Sequence, residues 1–336
     1  MTNFGSAAGH WSFGFFPGIV GWIMMRNRSR WLGLPIALCA VAAAAPAALG
    51  QQQLESVYAP PELPVDNEGV NEGAVHFELG ISYFTDYVFR GVERFEVPGS
   101  EDSLNLQLDA KLSFDLGKLP HPYVAAFVNV AADDVVSNFQ EIRPTVGFDW
   151  TIKPLVISGG FTSYIYPNRN EQETSEVFVG IALDDRILVG GQSIPVPYAM
   201  AAYDFDLYDG LYLEAGLRYR LAFDDIGLVL TANGSVAYLS GYNSTITYAD
   251  NGNNVTIPGA FSRGLPADGN NTDTLNGFQH WQIGVTAEYS LNKLFSVSTR
   301  YGEWSLRGSV YYTEDMDREI AGTNQIWGGG GIVLRF

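Results

Sequence analysis

Residues 104–116 read Leu-Asn-Leu-Gln-Leu-Asp-Ala-Lys-Leu-Ser-Phe-Asp-Leu, and this stretch decides the fold. Every even-numbered position is apolar and every odd-numbered position is polar. Successive side chains of a β-strand point to opposite faces, so the segment has one apolar and one polar face. A helix would instead spread the leucines around its whole surface. The segment is long enough to cross a bilayer when tilted, which takes roughly 9–11 residues.

The same two-residue period recurs to the end of the chain. Twelve segments carry it: 74–89, 104–116, 123–131, 138–152, 155–166, 175–183, 198–205, 211–221, 228–239, 280–289, 295–304 and 325–336. Their connections alternate between short turns, such as 153–154, and long stretches, such as 240–277 and 305–323. Short turns at one rim and long loops at the other are typical of bacterial outer-membrane barrels. We therefore predict an all-β, transmembrane, antiparallel up-and-down β-barrel of about 12 strands, with ten or fourteen as the alternatives.

The N-terminal residues predict targeting to the envelope. A basic cluster at 26–30 precedes an apolar, alanine-rich run at 31–49, and small residues precede position 51. This order predicts an N-terminal extension and cleaved signal peptide over residues 1–50. A membrane anchor and a lipoprotein site at Cys39 are the alternatives. Residues 51–73 are acidic and proline-rich with few apolar side chains, so we expect a flexible periplasmic tail, followed by the barrel at 74–336.

Charge and composition restrict the partners. The chain has a formal net charge of −18, and without its first fifty residues it keeps 16 basic against 37 acidic residues. An acidic chain of this kind argues against a nucleic-acid partner. The expected partners are the lipid bilayer of the bacterial outer membrane, the outer-membrane assembly machinery and, in a pore, small solutes. No cofactor or metal site is expected.

Two local features concern assembly and strand geometry. The final strand ends in Phe336, which resembles the assembly signal of bacterial outer-membrane proteins. Pro144 lies inside the segment 138–152, where its missing N–H removes a ladder hydrogen bond. We expect a bulge or local kink at that position.

Two short motifs carry a family resemblance. Residues 87–91 read Tyr-Val-Phe-Arg-Gly, residues 203–205 read Tyr-Asp-Phe, and residues 209–214 read Asp-Gly-Leu-Tyr-Leu-Glu. The first motif resembles the first strand of an uncharacterised family of proteobacterial outer-membrane β-barrels, and the other two resemble its middle hairpin. The family usually continues the first motif with Ile-Ser-Gln, where this chain has Val-Glu-Arg. The resemblance implies a barrel in the outer membrane and no known substrate or catalytic residue.

If the apolar faces meet lipid, the polar faces line the lumen. The candidate lumen-lining residues are Glu78, Asp86, Arg90, Asp109, Lys111, Glu141, Arg143, Asp149, Glu214, Arg218, Arg220, Glu288 and Arg300. Charges of both signs on facing strands can pair, and burying them unpaired would be costly. Two interpretations remain open: a salt-bridge network that fills the lumen, or a water-filled pore whose charged walls select solutes.

Other functions have thinner support. No Gly-x-Ser-x-Gly, His-Glu-x-x-His or Walker-type motif is present, and an outer-membrane hydrolase would have to use His280 with a rim carboxylate such as Asp273. The loop 240–277 could serve a surface adhesin or receptor. Its segments 250–254 and 268–273 carry oxygen ligands that calcium favours, but such residues also form turns. We expect 244–248 and 254–258 to pair as a hairpin. The predicted function is a passive, porin-like channel or a structural envelope barrel.

Overall fold

The computed structural model describes residues 75–94, 105–131, 139–167, 173–183, 194–250, 253–259, 261–262, 274–318 and 320–336. The predicted signal peptide and acidic tail lie outside the described residues. So does Asp273, together with the segment 268–273.

The described residues contain sixteen β-strands. They are β1 Val75–Phe84, β2 Val88–Phe89, β3 Val92–Glu93, β4 Asn105–Phe114, β5 His121–Ala131, β6 Phe139–Ile152, β7 Leu155–Tyr164, β8 Thr174–Leu183, β9 Val196–Asp204, β10 Gly210–Phe223, β11 Leu228–Asn243, β12 Thr245–Asp250, β13 Asn253–Pro258, β14 Thr274–Ser290, β15 Glu303–Asp315 and β16 Gln325–Arg335. Twelve of them form a closed antiparallel barrel in which each pairs with its neighbours along the chain, apart from the two hairpins β2–β3 and β12–β13. The predicted fold class and strand number are confirmed.

The first and last strands close the barrel. β1 pairs with β16 in an antiparallel ladder that runs from Glu78 opposite Arg335 to Phe84 opposite Gly329. Beyond it, the amide of Phe77 donates to the carbonyl of Phe336 at 3.0 Å, and the amide of Phe336 donates back at 2.8 Å. A closed sheet leaves no unpaired edge, which a barrel in lipid requires.

The apolar faces point outward, as the alternation predicts. On β1, Ile81 is 46% exposed while its neighbour Ser82 is 4% exposed. Large apolar residues lie on the outer surface of strands all around the barrel: Val124, Val146, Val177, Val179, Ile181, Leu217, Ile283, Val285, Leu306, Val310 and Ile332. An apolar outer wall around a polar interior is the arrangement of a membrane-spanning barrel, because water would be a poor solvent for such a surface.

The eleventh predicted strand is wrong. Instead of a strand at 295–304, the chain forms the short helix α1 Leu291–Phe295 and a 3₁₀ turn, Thr299–Tyr301. Ser290 caps α1 by accepting from the amide of Lys293, and Ser296 ends it in the left-handed region at φ 56°. These local serine caps outweigh the strand propensity of the segment. The eleventh barrel strand is β15 instead, which begins at Glu303 and lies mostly in the predicted loop 305–323. Among the described residues, no helix is long and apolar enough to cross a bilayer.

Pro144 interrupts a ladder without a bulge. It pairs with Ala126 of β5, and no register shift occurs there. Toward β7 the continuous pairing begins only at Thr145, with an isolated bridge between Ile142 and Ile165 that keeps the same register. The missing N–H therefore removes pairing locally, and the predicted bulge is wrong at this position.

Glycines on β16 let the barrel close around a buried ring. A Cβ atom at Gly329 would lie 1.8 Å from Cε1 of Phe84, which is buried on the lumen side of β1. At Gly308 on β15, the nearest atom to an added Cβ is a carbonyl oxygen at 3.7 Å. An added methyl group would therefore clash at Gly329 and fit at Gly308, so Gly308 can serve as the control for a substitution at Gly329.

We predict that Gly329→Ala lowers the free energy of unfolding by about 1–3 kcal/mol, because the methyl group overpacks the site against Phe84. Gly308→Ala should change it by less than about 0.5 kcal/mol. Urea unfolding of the refolded barrel in detergent measures both. Equal stability of the two variants would contradict this packing of the closing strands.

Candidate functional site

The Tyr-Val-Phe-Arg-Gly motif does not extend the first strand. β1 ends at Phe84, so the expectation of a single strand over 74–89 is wrong. Val88 pairs with Glu93 and Phe89 with Val92, and the amide of Arg94 donates to the carbonyl of Tyr87 at 2.7 Å. Residues 87–94 form a separate small hairpin, here called the inward hairpin because the side chains of residues 87–90 are buried among those of the barrel wall.

The tip of the inward hairpin is a two-residue turn in an uncommon conformation. Arg90 and Gly91 have φ values of 49° and 71°, which a type I′ turn requires at both central positions. Asn-Gly is the preferred pair there, and a left-handed Arg costs roughly 1–2 kcal/mol. Gly91 has a steric reason as well, since an added Cβ would lie 2.3 Å from Nδ1 of His280 on β14.

The guanidinium of Arg90 occupies a pocket on the far wall. Its Nη2 lies 2.8 Å from a carboxylate oxygen of Glu176, and both residues are at most 2% exposed. The Tyr164 hydroxyl donates to the same carboxylate at 2.7 Å. The guanidinium carbon lies 4.3 Å from the Tyr212 ring centroid, and Nη1 donates to the Tyr242 hydroxyl at 3.4 Å. We call Tyr164, Glu176, Tyr212 and Tyr242 the Arg90 pocket.

A second buried ion pair holds the stem of the inward hairpin. Arg143 and Glu141, both on the lumen face of β6, form an ion pair. The Tyr87 hydroxyl donates to Glu141 at 2.8 Å and accepts from Arg143. The Arg143 guanidinium also lies 4.3 Å from the Phe89 ring centroid and 4.7 Å from that of Phe127. The guanidiniums of Arg90 and Arg143 each have a carboxylate and an aromatic face, which offsets the cost of removing them from water.

Loop residues at the long-loop rim pack over the inward hairpin. The amide of Thr323 donates to the carbonyl of Gly91 at 2.9 Å. Val92 packs against an apolar cluster that includes Tyr208 and Phe261. Burial raises the pKa of the Tyr208 hydroxyl, which lies in the connection between β9 and β10. The described loops and the hairpin together fill the half of the lumen next to this rim.

The half of the lumen near the short turns carries charges that are less buried. A seam network of four residues joins β1, β14, β15 and β16: Glu78, Glu288, Arg307 and Arg335. Nε of Arg335 lies 2.9 Å from Glu78, and Nη2 of Arg307 lies 3.1 Å from Glu288. The side chain of Glu78 remains 27% exposed.

Other predicted lumen-lining residues lie in or next to the half of the lumen near the short turns. Lys111 and Asp149 form an ion pair of 2.9 Å, in which the lysine side chain is 24% exposed. Asp109 on β4 lies over Gly80, where an added Cβ would be 2.3 Å from its carboxylate. Two tyrosines donate to Glu214, Tyr198 at 2.8 Å and Tyr212 at 2.7 Å. On the same face of β10, Arg218 lies 5.8 Å from the Tyr198 ring centroid and Arg220 is exposed.

Besides Arg90, two predicted site residues lie outside the barrel strands. Asp86 is buried in the connection between β1 and the inward hairpin. Arg300 lies in the exposed 3₁₀ turn before β15, so its prediction as a lumen residue on a strand is wrong. That error follows from the misplaced eleventh strand.

Sequence reasoning missed three partners of the predicted residues. Glu176 alternates with the outward Val177 and Val179 on β8, so the two-residue period could have assigned it to the lumen. Arg335 lies on a glycine-rich strand with little alternation, and Arg307 lies in the segment that was predicted as a loop.

His280 is buried, and its ring lies against Gly91 at the tip of the inward hairpin. A hydrolase acting at the outer surface would need this side chain accessible. Among the described residues, no group of three or more His, Cys, Asp or Glu side chains is close enough to hold a metal ion.

Several solved outer-membrane proteins are similar to this chain in fold. The COG4313 outer membrane channel from Pseudomonas putida F1 is 13% identical at a TM-score of 0.46, over 82% of this chain and 99% of that one. The Pseudomonas putida toluene transporter TodX is 10% identical at a TM-score of 0.36, over 79% and 88%. A mutant porin of Rh. blastica is 9% identical at 0.28, over 78% and 99%. No protein-family model and no characterised protein sequence matches the chain. At such low identities and TM-scores, the function has to be argued from the chain's own residues.

We predict that Arg143→Ala lowers the free energy of unfolding by about 3–5 kcal/mol, because it leaves the Glu141 carboxylate buried without its cation. Arg300→Ala removes the same charge from an exposed turn and should change stability by less than about 0.5 kcal/mol. Urea unfolding in detergent compares them. If Arg143→Ala is no less stable than Arg300→Ala, the buried ion pair is not a feature of the folded protein.

Proposed function

We propose that this chain is a porin-like channel of the bacterial outer membrane for small solutes, with its outer half closed by the inward hairpin in the described state. The observation that carries the proposal is the change in burial along the lumen. At the tip and stem of the inward hairpin, the four paired side chains Arg90, Glu141, Arg143 and Glu176 are at most 2% exposed. Glu78, Lys111 and Arg220, nearer the short turns, contact solvent. Exposed charges inside a barrel indicate an aqueous compartment rather than a core.

The size of the barrel supports this function. Eight-stranded barrels have an interior that side chains alone can fill, and barrels of sixteen to eighteen strands enclose an aqueous channel. A barrel of twelve strands lies between them, wide enough to admit a two-stranded hairpin. The long loops face the outside of the cell in bacterial barrels, so the inward hairpin closes the extracellular half.

The position of the inward hairpin explains how one barrel can satisfy both interpretations of its lumen. With the hairpin in place, the outer half is filled by paired charges and aromatic rings. With the hairpin displaced, the same charged walls would border a continuous aqueous path. The proposal includes no catalytic activity, since His280 is buried behind the hairpin.

A surface adhesin is the second candidate. The predicted hairpin within 240–277 is present as β12–β13, with Asp250 paired to Asn253. However, Ile246 of this hairpin is buried in the apolar cluster at the barrel mouth, against which Ile257 also packs. This packing favours a cap over the mouth. Deletion of 245–258 should abolish partner binding if the chain is an adhesin.

Replacing residues 87–94 with a Gly-Ser linker of the same length should increase the single-channel conductance several-fold, because it removes the side chains that fill the outer lumen. Purified protein in planar lipid bilayers gives the measurement, and Arg300→Ala serves as the control that should conduct like the wild type. A folded linker variant that conducts no better than wild type would leave the structural, filled barrel as the function.

In this linker variant, Arg218→Gln should raise the permeability of cations relative to anions, because it removes a positive charge from the lumen wall. Lys118→Gln makes the same charge change in the exposed turn between β4 and β5 and should have little effect. Reversal potentials under a salt gradient measure the ratio. Equal ratios in the two variants would mean that ions do not pass along the β10 wall.

A further inference from the structure

We propose that the Arg90 pocket is a binding site for a small organic cation carrying a guanidinium or alkylammonium group, which the chain's own Arg90 occupies in the described state. The link from this site to solute passage rests on the proposed channel function. The site itself can be tested without any current.

The pocket has the chemistry of a cation site. Glu176 supplies a negative charge at 2.8 Å from the guanidinium, and the ring of Tyr212 supplies an aromatic face at 4.3 Å. A carboxylate combined with an aromatic face binds guanidinium and alkylammonium groups in preference to small hydrated ions. The hydroxyls of Tyr164 and Tyr242 complete the pocket, one fixing the carboxylate and the other accepting from the cation.

Among the described residues, the lumen faces of β6 and β8 carry more buried carboxylates than guanidiniums at this level. Strands β6 and β8 present two carboxylates, Glu141 and Glu176, and one guanidinium, Arg143, all buried. Asp204 on β9 adds another buried carboxylate, which accepts from the Thr174 hydroxyl at 2.7 Å. The cation for Glu176 comes from the inward hairpin. Once Arg90 leaves, Glu176 loses that partner at a site where a buried carboxylate strongly favours a replacement cation.

The hairpin that carries Arg90 has little local stability of its own. It has two residues in each strand, far below the length at which a hairpin is stable alone, and a non-glycine residue with positive φ at its tip. Its stability therefore depends on the side-chain contacts with the wall. A solute cation that takes the place of Arg90 removes its ion pair with Glu176 and its contact with the Tyr212 ring, and thereby favours the open lumen. Since Arg90 is tethered, the free cation must compete against a high effective concentration.

Arg90→Asn provides the sharpest test, because Asn-Gly is the preferred pair for a type I′ turn. The variant therefore keeps the turn and empties the pocket. The probe is methylguanidinium chloride against sodium chloride at equal ionic strength, and the readout is the thermal unfolding midpoint of the full barrel in detergent. Methylguanidinium should raise the midpoint of Arg90→Asn in a saturable manner, as a ligand that binds only the folded state does.

Two controls make the result specific. Methylguanidinium should leave the midpoint of the double variant Arg90→Asn, Glu176→Gln unchanged, since the pocket lacks its charge. It should also produce a smaller rise in wild type, where Arg90 competes. A missing saturable rise in Arg90→Asn, or an equal rise in the double variant, overturns the proposal. If Arg90→Asn does not fold, wild type replaces it: methylguanidinium should then speed hydrogen exchange of amides 88–94, and unchanged exchange overturns the proposal.

Bilayer recordings separate this proposal from the channel function. An Arg90→Asn protein that binds methylguanidinium but never conducts contradicts the channel and supports the pocket. A protein that conducts, yet neither binds methylguanidinium nor is blocked by it, contradicts the pocket and supports the channel.

Discussion

A closed β-sheet offers each side chain only two directions, and this constraint determines the rest of the structure. Outward positions meet lipid, so they carry residues such as Ile81, Val179 and Val285. Charged side chains on the spanning strands, such as Glu78, Arg143 and Arg307, therefore face inward, where burial penalises any charge without a partner. The paired carboxylates and guanidiniums of the lumen follow from this requirement, from the seam network to the pair of Arg143 with Glu141.

The inward hairpin contributes both to the stability of the barrel and to the closure of its lumen. It supplies the cation that Glu176 requires and the aromatic rings that cover Arg143, and it thereby fills the lumen near the long loops. The same contacts that stabilise the barrel also obstruct it, so stability and closure are linked. A strained turn at Arg90 and Gly91 is consistent with a position retained for its contacts rather than for local stability.

Sequence periodicity predicted the barrel because each strand has to satisfy the same two-sided environment independently of its neighbours. It failed where local interactions dominate: serine caps at Ser290 and Ser296 produced a helix in place of a strand. It also failed at Arg90. The period assigned this residue to the lumen face of a continuous first strand, whereas a two-residue turn carries it across the lumen. Which strand an inward loop meets depends on contacts between residues far apart in sequence, such as Arg90 and Glu176, and periodicity contains no information about them.

The central claim is that residues 87–94 are packed inside the barrel and are not a surface loop. Hydrogen–deuterium exchange of the intact protein in lipid nanodiscs, resolved by peptide, tests this most directly. The amides of 88–94 should exchange far more slowly than those of the exposed turn at 115–120, because the hairpin is enclosed by the barrel wall. Exchange as fast as in that turn would contradict the account.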